Sequence, residues 1–567
     1  MSKNTEKHLS GTDAVDLDNP SVIGFFEESI RKNWDNSAVT DYQGESFLYK
    51  EVAQHIEKLH IVFEGMGLQP GDRVALCGKN CKNWGVAFLS VFTYGAVPVP
   101  ILADFTPEYI HNIVNHSEAK LLFAGESNWS GLDFSAMPAI QGAILTGDYS
   151  LAQSRSEALS EIFSKADAIY AEKFPEGLKP ENLSYFKESN PDALAILNYT
   201  SGTTSQPKGV MIPYRAVRCN IKFAVRKLPM KPGSRTVSML PLAHMFGLMF
   251  EFLFDIVLGC HIHFLTRIPS PQIIFKAFAE FKPNLIITVP LVIEKVVKSA
   301  VLPIMNKPAM KLAMSIPGLR TFIGNKIRTK LADAFGGDLL EVVIGGAALN
   351  PEVENCLRKI HFPFSVGYGS TECAPLISYV RWYEYAPTSC GRAITDVEVK
   401  ILSNDPENVP GEIIIHGDNV MLGYFRNEEA TAKAIDKDGW FYSGDLGTMD
   451  KEGNIYIKGR SKTMILGPSG QNIYPEELEA RINNAPYIAE SLVVERSGKL
   501  TALVVLNNEA LKADSVQEAD IEKIMEQNRQ NINAKLPIYE KISSFQTVDG
   551  FEKTPKGSIK RFLYQDK

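Results

Sequence analysis

The chain has no basic excess, no closely paired cysteines and no long uncharged apolar run, and each absence removes a class of function. Lysine and arginine number 59 against 66 aspartates and glutamates, a net charge of −7, whereas nucleic-acid binders usually carry a basic surplus. The seven cysteines (Cys77, Cys81, Cys219, Cys260, Cys356, Cys373, Cys390) never fall in a Cys-x-x-Cys spacing. That pattern predicts reduced, mostly buried thiols in a cytoplasmic protein. The most apolar stretch, 245–260, contains Glu251 and Asp255 and is too short to span a bilayer. Membrane contact, if made, is expected to be peripheral, at the inner face. Residues 1–19 are polar and lack the apolar centre of a signal peptide. No repeat with a period of ~20–50 residues is visible.

A chain of 567 residues exceeds what one core supports and predicts at least two domains. An apolar content of 45% and a charged content of 22% are those of an ordinary globular protein. Strand-like and helix-like segments alternate from Ser21 onward. The spacing predicts a helix entered at Asn19-Pro20, with Phe25, Phe26 and Ile30 on one face. It also predicts a hairpin turning at Gln43-Gly44, a helix over 49–66, and strands at 74–77, 97–101 and 121–124. Such β-then-α units predict an α/β fold with a largely parallel sheet. Residues 126–190 are more polar and less regular, and no element is assigned there.

The most informative stretch is 195–213. An apolar run leads into Thr200-Ser201-Gly202-Thr203-Thr204, and Lys208-Gly209 follows. Short hydroxyls, exposed N–H groups and a permissive glycine suit a loop that surrounds phosphate oxygens, and Lys208 adds a mobile positive charge. It is not a Walker A loop, because Pro207 precedes Lys208 and Gly209 follows it. Val210-Met211-Ile212 predicts a second strand, so the loop is expected to join two strands. A polar surface turn is the plainer alternative.

Further on, the strand-like run 342–344 ends in Gly345-Gly346-Ala347, small residues that let a flat ring approach the backbone. A short strand then precedes Gly367-Tyr368-Gly369-Ser370-Thr371-Glu372. Tyr368 offers a stacking face beside Gly369, Thr371 a hydrogen bond to phosphate, and Glu372 an oxygen ligand for Mg²⁺, which takes few carboxylates. Asp445, after Ser443-Gly444 at an expected turn, is placed to accept two ribose hydroxyls. Arg460 supplies a cation for ribose or α-phosphate. His261 and His263 share a strand face, a weak metal pair without a carboxylate. Residues 295–330 are basic and broken by proline, which predicts a solvated face, with a coenzyme or lipid-surface contact as the alternative.

Taken in order, Tyr199-Thr-Ser-Gly-Thr-Thr-x-x-Pro-Lys-Gly209, the Tyr368–Glu372 motif, Asp445 and Arg460 resemble the adenylate-forming superfamily, most closely its long-chain fatty acid–CoA ligases. The resemblance covers about residues 195–561. It implies a large N-terminal α/β domain with mixed and parallel sheets (1–462) and a small mobile α+β domain (463–567), with Lys462 as hinge. It implies ATP, Mg²⁺ on Thr203 and Glu372, and coenzyme A as requirements. The reaction implied is activation of a fatty acid through an acyl-adenylate. His244 would lie between the acyl pocket and the coenzyme channel, with 246–258 lining that pocket or simply forming core. Two departures stand out: Ser205 replaces a usual glycine, and Ser558 occupies the usual position of a catalytic lysine. Lys556 is the first candidate to replace it and Lys560 the second. An acyl-carrier-protein ligase, an aryl acid–CoA ligase, and a nucleotide- or acyl-binding protein impaired by Ser558 are the alternatives.

Overall fold

A computed structural model describes residues 14–200, 208–267, 270–466, 471–496, 498–554 and 559–565. Two largely parallel sheets form its frame. In the first, the order is Phe364–Val366, Glu341–Ile344, Leu285–Thr288, Arg235–Ser238, His261–Phe264 and Ser37–Asp41, all parallel, with Ser46–Leu48 antiparallel at one edge. In the second, Val97–Ile101, Arg73–Cys77, Leu121–Ala124 and Gly142–Leu145 run parallel, and Leu151–Ser154 turns back. The parallel strands are buried along nearly their whole length, as continuous rather than alternating apolar runs predict. The helix Lys82–Thr93 packs against both sheets. Rings of Trp84, Phe88, Phe252 and Phe264 follow one another at centroid distances of 5.8, 6.2 and 6.1 Å.

The strands Leu194–Thr200 and Lys208–Pro213 pair antiparallel, with Thr200 opposite Lys208. Strands thus flank residues 201–207 on both sides, as the sequence predicts. Gly423–Tyr424 adds a third strand beside Val210 and Met211. An antiparallel sheet, in the order Val397–Leu402, Gly411–Gly417, Phe441–Met449 and Ile455–Arg460, closes the large unit. Beyond it, Ile488–Arg496, Lys499–Leu506 and Ser544–Thr547 form a small sheet against the helices Pro475–Ile482 and Glu518–Asn533. Ile473, Leu478, Val493, Val504 and Ile542 give this smaller α+β unit a core of its own. Among the described residues, no helix is long and apolar enough to cross a membrane.

Three expectations need correction. The first helix is Val22–Lys32, capped by Ser21 accepting from Gly24 N–H rather than entered at Asn19-Pro20. Residues 126–190 contain a full helix, Glu157–Lys173, packed on Tyr49–Gly65. Leu159 is fully buried along it, and Ile162, Phe163, Ala166 and Tyr170, at helical spacing on the same face, are partly buried against the core. Asp445 sits inside the strand Phe441–Met449, not at a turn, directly after a kink at Gly444 where φ is +72°.

Candidate active site

The ends of the strands Glu341–Ile344 and Phe364–Val366 lie side by side, and the expected site residues stand near them as three walls. At the first wall, Lys208 Nζ lies 4.8 Å from the ring centre of Tyr424, and the Tyr424 hydroxyl donates to Glu372 Oε1 at 3.0 Å. The backbone repeats the link: Met421 N–H donates to the Glu372 carbonyl at 2.8 Å. Burial, then the Glu372 charge, pushes the Tyr424 phenol well up, so it stays a donor. Lys208 and Glu372, 164 positions apart in sequence, thus meet across one aromatic ring. Thr371 opens the short 3-10 turn that carries Glu372. The buried Asn220 secures that turn, donating to the Cys373 carbonyl at 3.3 Å and accepting from Leu376 N–H at 3.0 Å.

The second wall is an acid between two donors. Tyr368 donates its hydroxyl to Asp445 Oδ2 at 2.8 Å, and Arg460 Nε lies 3.0 Å from Oδ1. Burial raises the Asp445 pKa, and Arg460 pulls it back. Both carboxylate oxygens therefore already have one protein donor, and a ribose would use their remaining lone pairs. Tyr368 is almost wholly buried, and it presents its hydroxyl rather than an open stacking face. Gly369 fits where nothing larger can, since a Cβ there would stand 2.1 Å from the Pro375 carbonyl oxygen.

The third wall carries His244. Asn198, on the strand Leu194–Thr200, donates to the Ala243 carbonyl at 3.0 Å. Asn80 clamps the same segment, donating to the Leu240 carbonyl and accepting from Leu242 N–H at 2.7 and 2.9 Å. His244 is half-buried. Of the run expected to line a pocket, residues 247–258 are buried in the core, whereas the half-buried Phe246 faces Gly345. A Cβ at Gly345 would come 2.9 Å from that ring, so glycine is what lets strand and ring approach. Gly346, at φ +83°, and Ala347 are exposed at the strand end.

Ser201, Gly202, Thr203, Thr204, Lys556 and Ser558 lie outside the described residues. Lys462 is exposed after the strand Ile455–Arg460. Lys560 pairs with Glu552 at 3.4 Å within the smaller unit. Arg561 ties the tail to Glu479 and, at 3.6 Å, to Glu476 on the helix Pro475–Ile482. Sequence reasoning missed Tyr424 and Asn220 as site-building residues. Tyr424 ends the Met421–Tyr424 segment between two motifs, but only the strand pairing reveals its reach.

Among the described residues no group of three histidines, cysteines or carboxylates is placed to hold a metal ion, His261 and His263 included. The donor set still fits Mg²⁺. One carboxylate, Glu372, stands within reach of Lys208 through Tyr424, and Mg²⁺ commonly takes its other ligands from phosphate and water.

Residues 26–425 match the AMP-binding enzyme family, and residues 462–566 match the AMP-binding enzyme C-terminal domain. A long-chain-fatty-acid–CoA ligase of Escherichia coli O157:H7 is 29% identical over 496 residues, covering 84% of this chain and 82% of that protein. The 4-coumarate–CoA ligase 2 of Oryza sativa subsp. japonica is 27% identical over 540 residues, covering 91% and 87%. Among solved structures, the anthranilate CoA ligase AuaEII with anthranoyl-AMP superposes with a TM-score of 0.76 at 18% identity, covering 97% of this chain and 98% of that one. ATP-bound MatB from Rhodopseudomonas palustris gives 0.73 at 22% identity, covering 96% and 98%.

Proposed function

The chain belongs to the AMP-binding enzyme family, and from that premise we propose that it is an AMP-forming ligase joining a fatty acid to coenzyme A. A carboxylate is a poor electrophile because its leaving group would be oxide. Attack of one carboxylate oxygen on the α-phosphorus of ATP forms the acyl-adenylate and breaks the bond to pyrophosphate. The thiol sulfur of coenzyme A then attacks the acyl carbonyl, AMP leaves, and the thiol proton passes to solvent.

In this reading the Thr200–Thr204 hydroxyls and Lys208 hold the β- and γ-phosphates. Glu372, with Thr203, would hold Mg²⁺, whose charge offsets that of the phosphates. Asp445 takes the ribose, with Arg460 beside it, while Gly345, Gly346 and Ala347 give the flat surface for the base. Tyr368 fixes Asp445, and Thr371 reaches a phosphate. His244 stands where the acyl group and thiol must meet. Lys556, or failing it Lys560, brings an ammonium to the reacting carboxylate from the 463–567 domain, which turns about Lys462 against 1–462. All seven cysteines are free, which agrees with the cytoplasm, where ATP and reduced coenzyme A are available.

One observation carries the reading: Tyr424 joins Lys208 to Glu372, a phosphate-type cation to a Mg²⁺-type carboxylate. The test is acid-dependent pyrophosphate release with ATP and Mg²⁺ over fatty and aryl acids, with and without coenzyme A, beside Lys556→Ala and Lys560→Ala. Release driven best by fatty acids, with thioester formed on coenzyme A, is expected. Preference for aryl acids, transfer only to an acyl carrier protein, or ATP binding without release would each overturn it.

A further inference from the structure

Between Glu294 and Asp333 the chain contains eight lysines and arginines and no acidic residue. Set against the net charge of −7, the rest of the chain holds an excess of 15 acids. The same segment concentrates exposed apolar side chains. Leu312 is 70% exposed, Ile316 51%, Leu319 41% and Phe322 67%, and Leu291 and Ile304 flank them at 60% and 43%. Exposed apolar groups gathered on one surface mark an interaction site, whereas single ones do not.

The helices Pro308–Ser315 and Pro317–Ala334 shape this surface. The second is anchored at its far end, where Leu331 is buried and Ile327 packs in the core around Phe278 and Phe335. Its near end projects, and residues 318–322 are all exposed. Phe322, Lys326 and Lys330 follow at i, i+4 spacing and share a face with Leu319. Lys307, Arg320, Lys326 and Lys330 are exposed around the apolar group. Among the described residues, Lys298–Glu294 at 3.9 Å is the one ion pair within the segment.

We propose that this helical pair docks on an anionic lipid bilayer, with Leu312, Ile316, Leu319 and Phe322 entering the headgroup layer and the surrounding bases meeting lipid phosphates. Apolar side chains ringed by lysine and arginine, on a protein otherwise acidic, match such a surface in both charge and hydrophobicity. Long lysine stems let the ammonium stay at phosphate level while apolar neighbours sit deeper. The chain just ahead of the segment passes the expected site, since Val289 Cγ1 lies 3.7 Å from where a Gly346 Cβ would stand. The bilayer would then hold an insoluble acid close to that site, a consequence that rests on the fatty-acid reading, whereas the docking itself does not.

The experiment is flotation of the full chain with phosphatidylcholine vesicles, with and without phosphatidylglycerol. Two double variants, L319S/F322S and K326E/K330E, run beside it. The wild type should float with the anionic vesicles and detach as salt rises. Each lysine reversed should lower the partition coefficient by about fivefold or more. Phe322→Trp should add emission that shifts to the blue on these vesicles only. The substituted side chains are exposed, and pyrophosphate release with a water-soluble acid, without vesicles, should match the wild type in both variants. A failed enzyme assay would thus leave the docking result standing, and the reverse. A wild type that never floats at low salt, or variants that float as it does, would overturn the proposal. So would variants that change only self-association or binding to an acidic carrier protein.

Discussion

Tyr424 touches both ends of the proposed phosphate site, so a single oxygen tests the arrangement. Tyr424→Phe keeps the ring under Lys208 but removes the hydroxyl on Glu372. The Mg²⁺ concentration for half-maximal pyrophosphate release should rise by about 10–100-fold, as for other partners that orient a metal ligand. Glu251 offers a purely structural contrast. Its buried carboxyl accepts from Met239 and Leu240 N–H at 3.0 and 2.9 Å, just ahead of His244. Burial pushes its pKa well up, and the two amides pull it back. Glu251→Gln should cost under about 1 kcal/mol, being nearly the same shape. Glu251→Ala strands two amides and opens a cavity, costing about 3–5 kcal/mol by urea unfolding. The sequence shows such residues as types but not as partners. Nothing near Glu372 in the chain points to Tyr424, because that contact depends on a strand pairing between distant segments.

At the scale of elements, the strand His261–Phe264 holds two histidines in neutral form. Burial lowers His263 to about 3, with His261 and Arg235 adding to it, and His261 to about 4. Their rings lie 4.0 Å apart, and His263 stacks on Phe281 at 3.9 Å. Unfolded histidine titrates near ~6.5, so the unfolded chain takes up protons first as pH falls. The stability from this strand is complete above about pH 6.5 and is lost progressively toward about pH 3. His263→Phe should therefore narrow the drop in urea midpoint between about pH 8 and pH 5, with little change at the higher value. Local elements of this kind were largely legible. Gly44, Gly67 and the alternation of apolar runs marked the hairpin, the helix end and the parallel strands. The helix Glu157–Lys173 does leave a signal, since Leu159, Ile162, Phe163, Ala166 and Tyr170 recur at helical spacing, but the polar residues between them and their partial burial weaken it. The kink before Asp445 escaped for a related reason: glycine beside a small acid suits a turn as well as a distorted strand.

At the scale of the molecule, the smaller unit touches the larger at identifiable points. Asn350 donates to Asn484, Lys458 pairs with Glu477 at 3.2 Å, and the helix Pro475–Ile482 packs on Ile455–Arg460. Joining Asn350→Cys to Asn484→Cys by a disulfide would hold this arrangement. If one arrangement serves adenylation and another thioester formation, the oxidised double variant should complete one half-reaction and fail the other, and reduction should restore both. Pyrophosphate release and acyl-CoA formation, measured separately, would check it, and an oxidised form competent in both would exclude a required rotation. The same whole-molecule view gives the acid-free segment a meaning beyond contact. Positive charge gathered at one side of an otherwise negative body makes the protein a permanent electric dipole. Such a body turns in the field of a charged surface before it arrives, and its approach slows as salt shortens the reach of that field. One molecule should then bind both cation- and anion-exchange resins near neutral pH, by opposite faces.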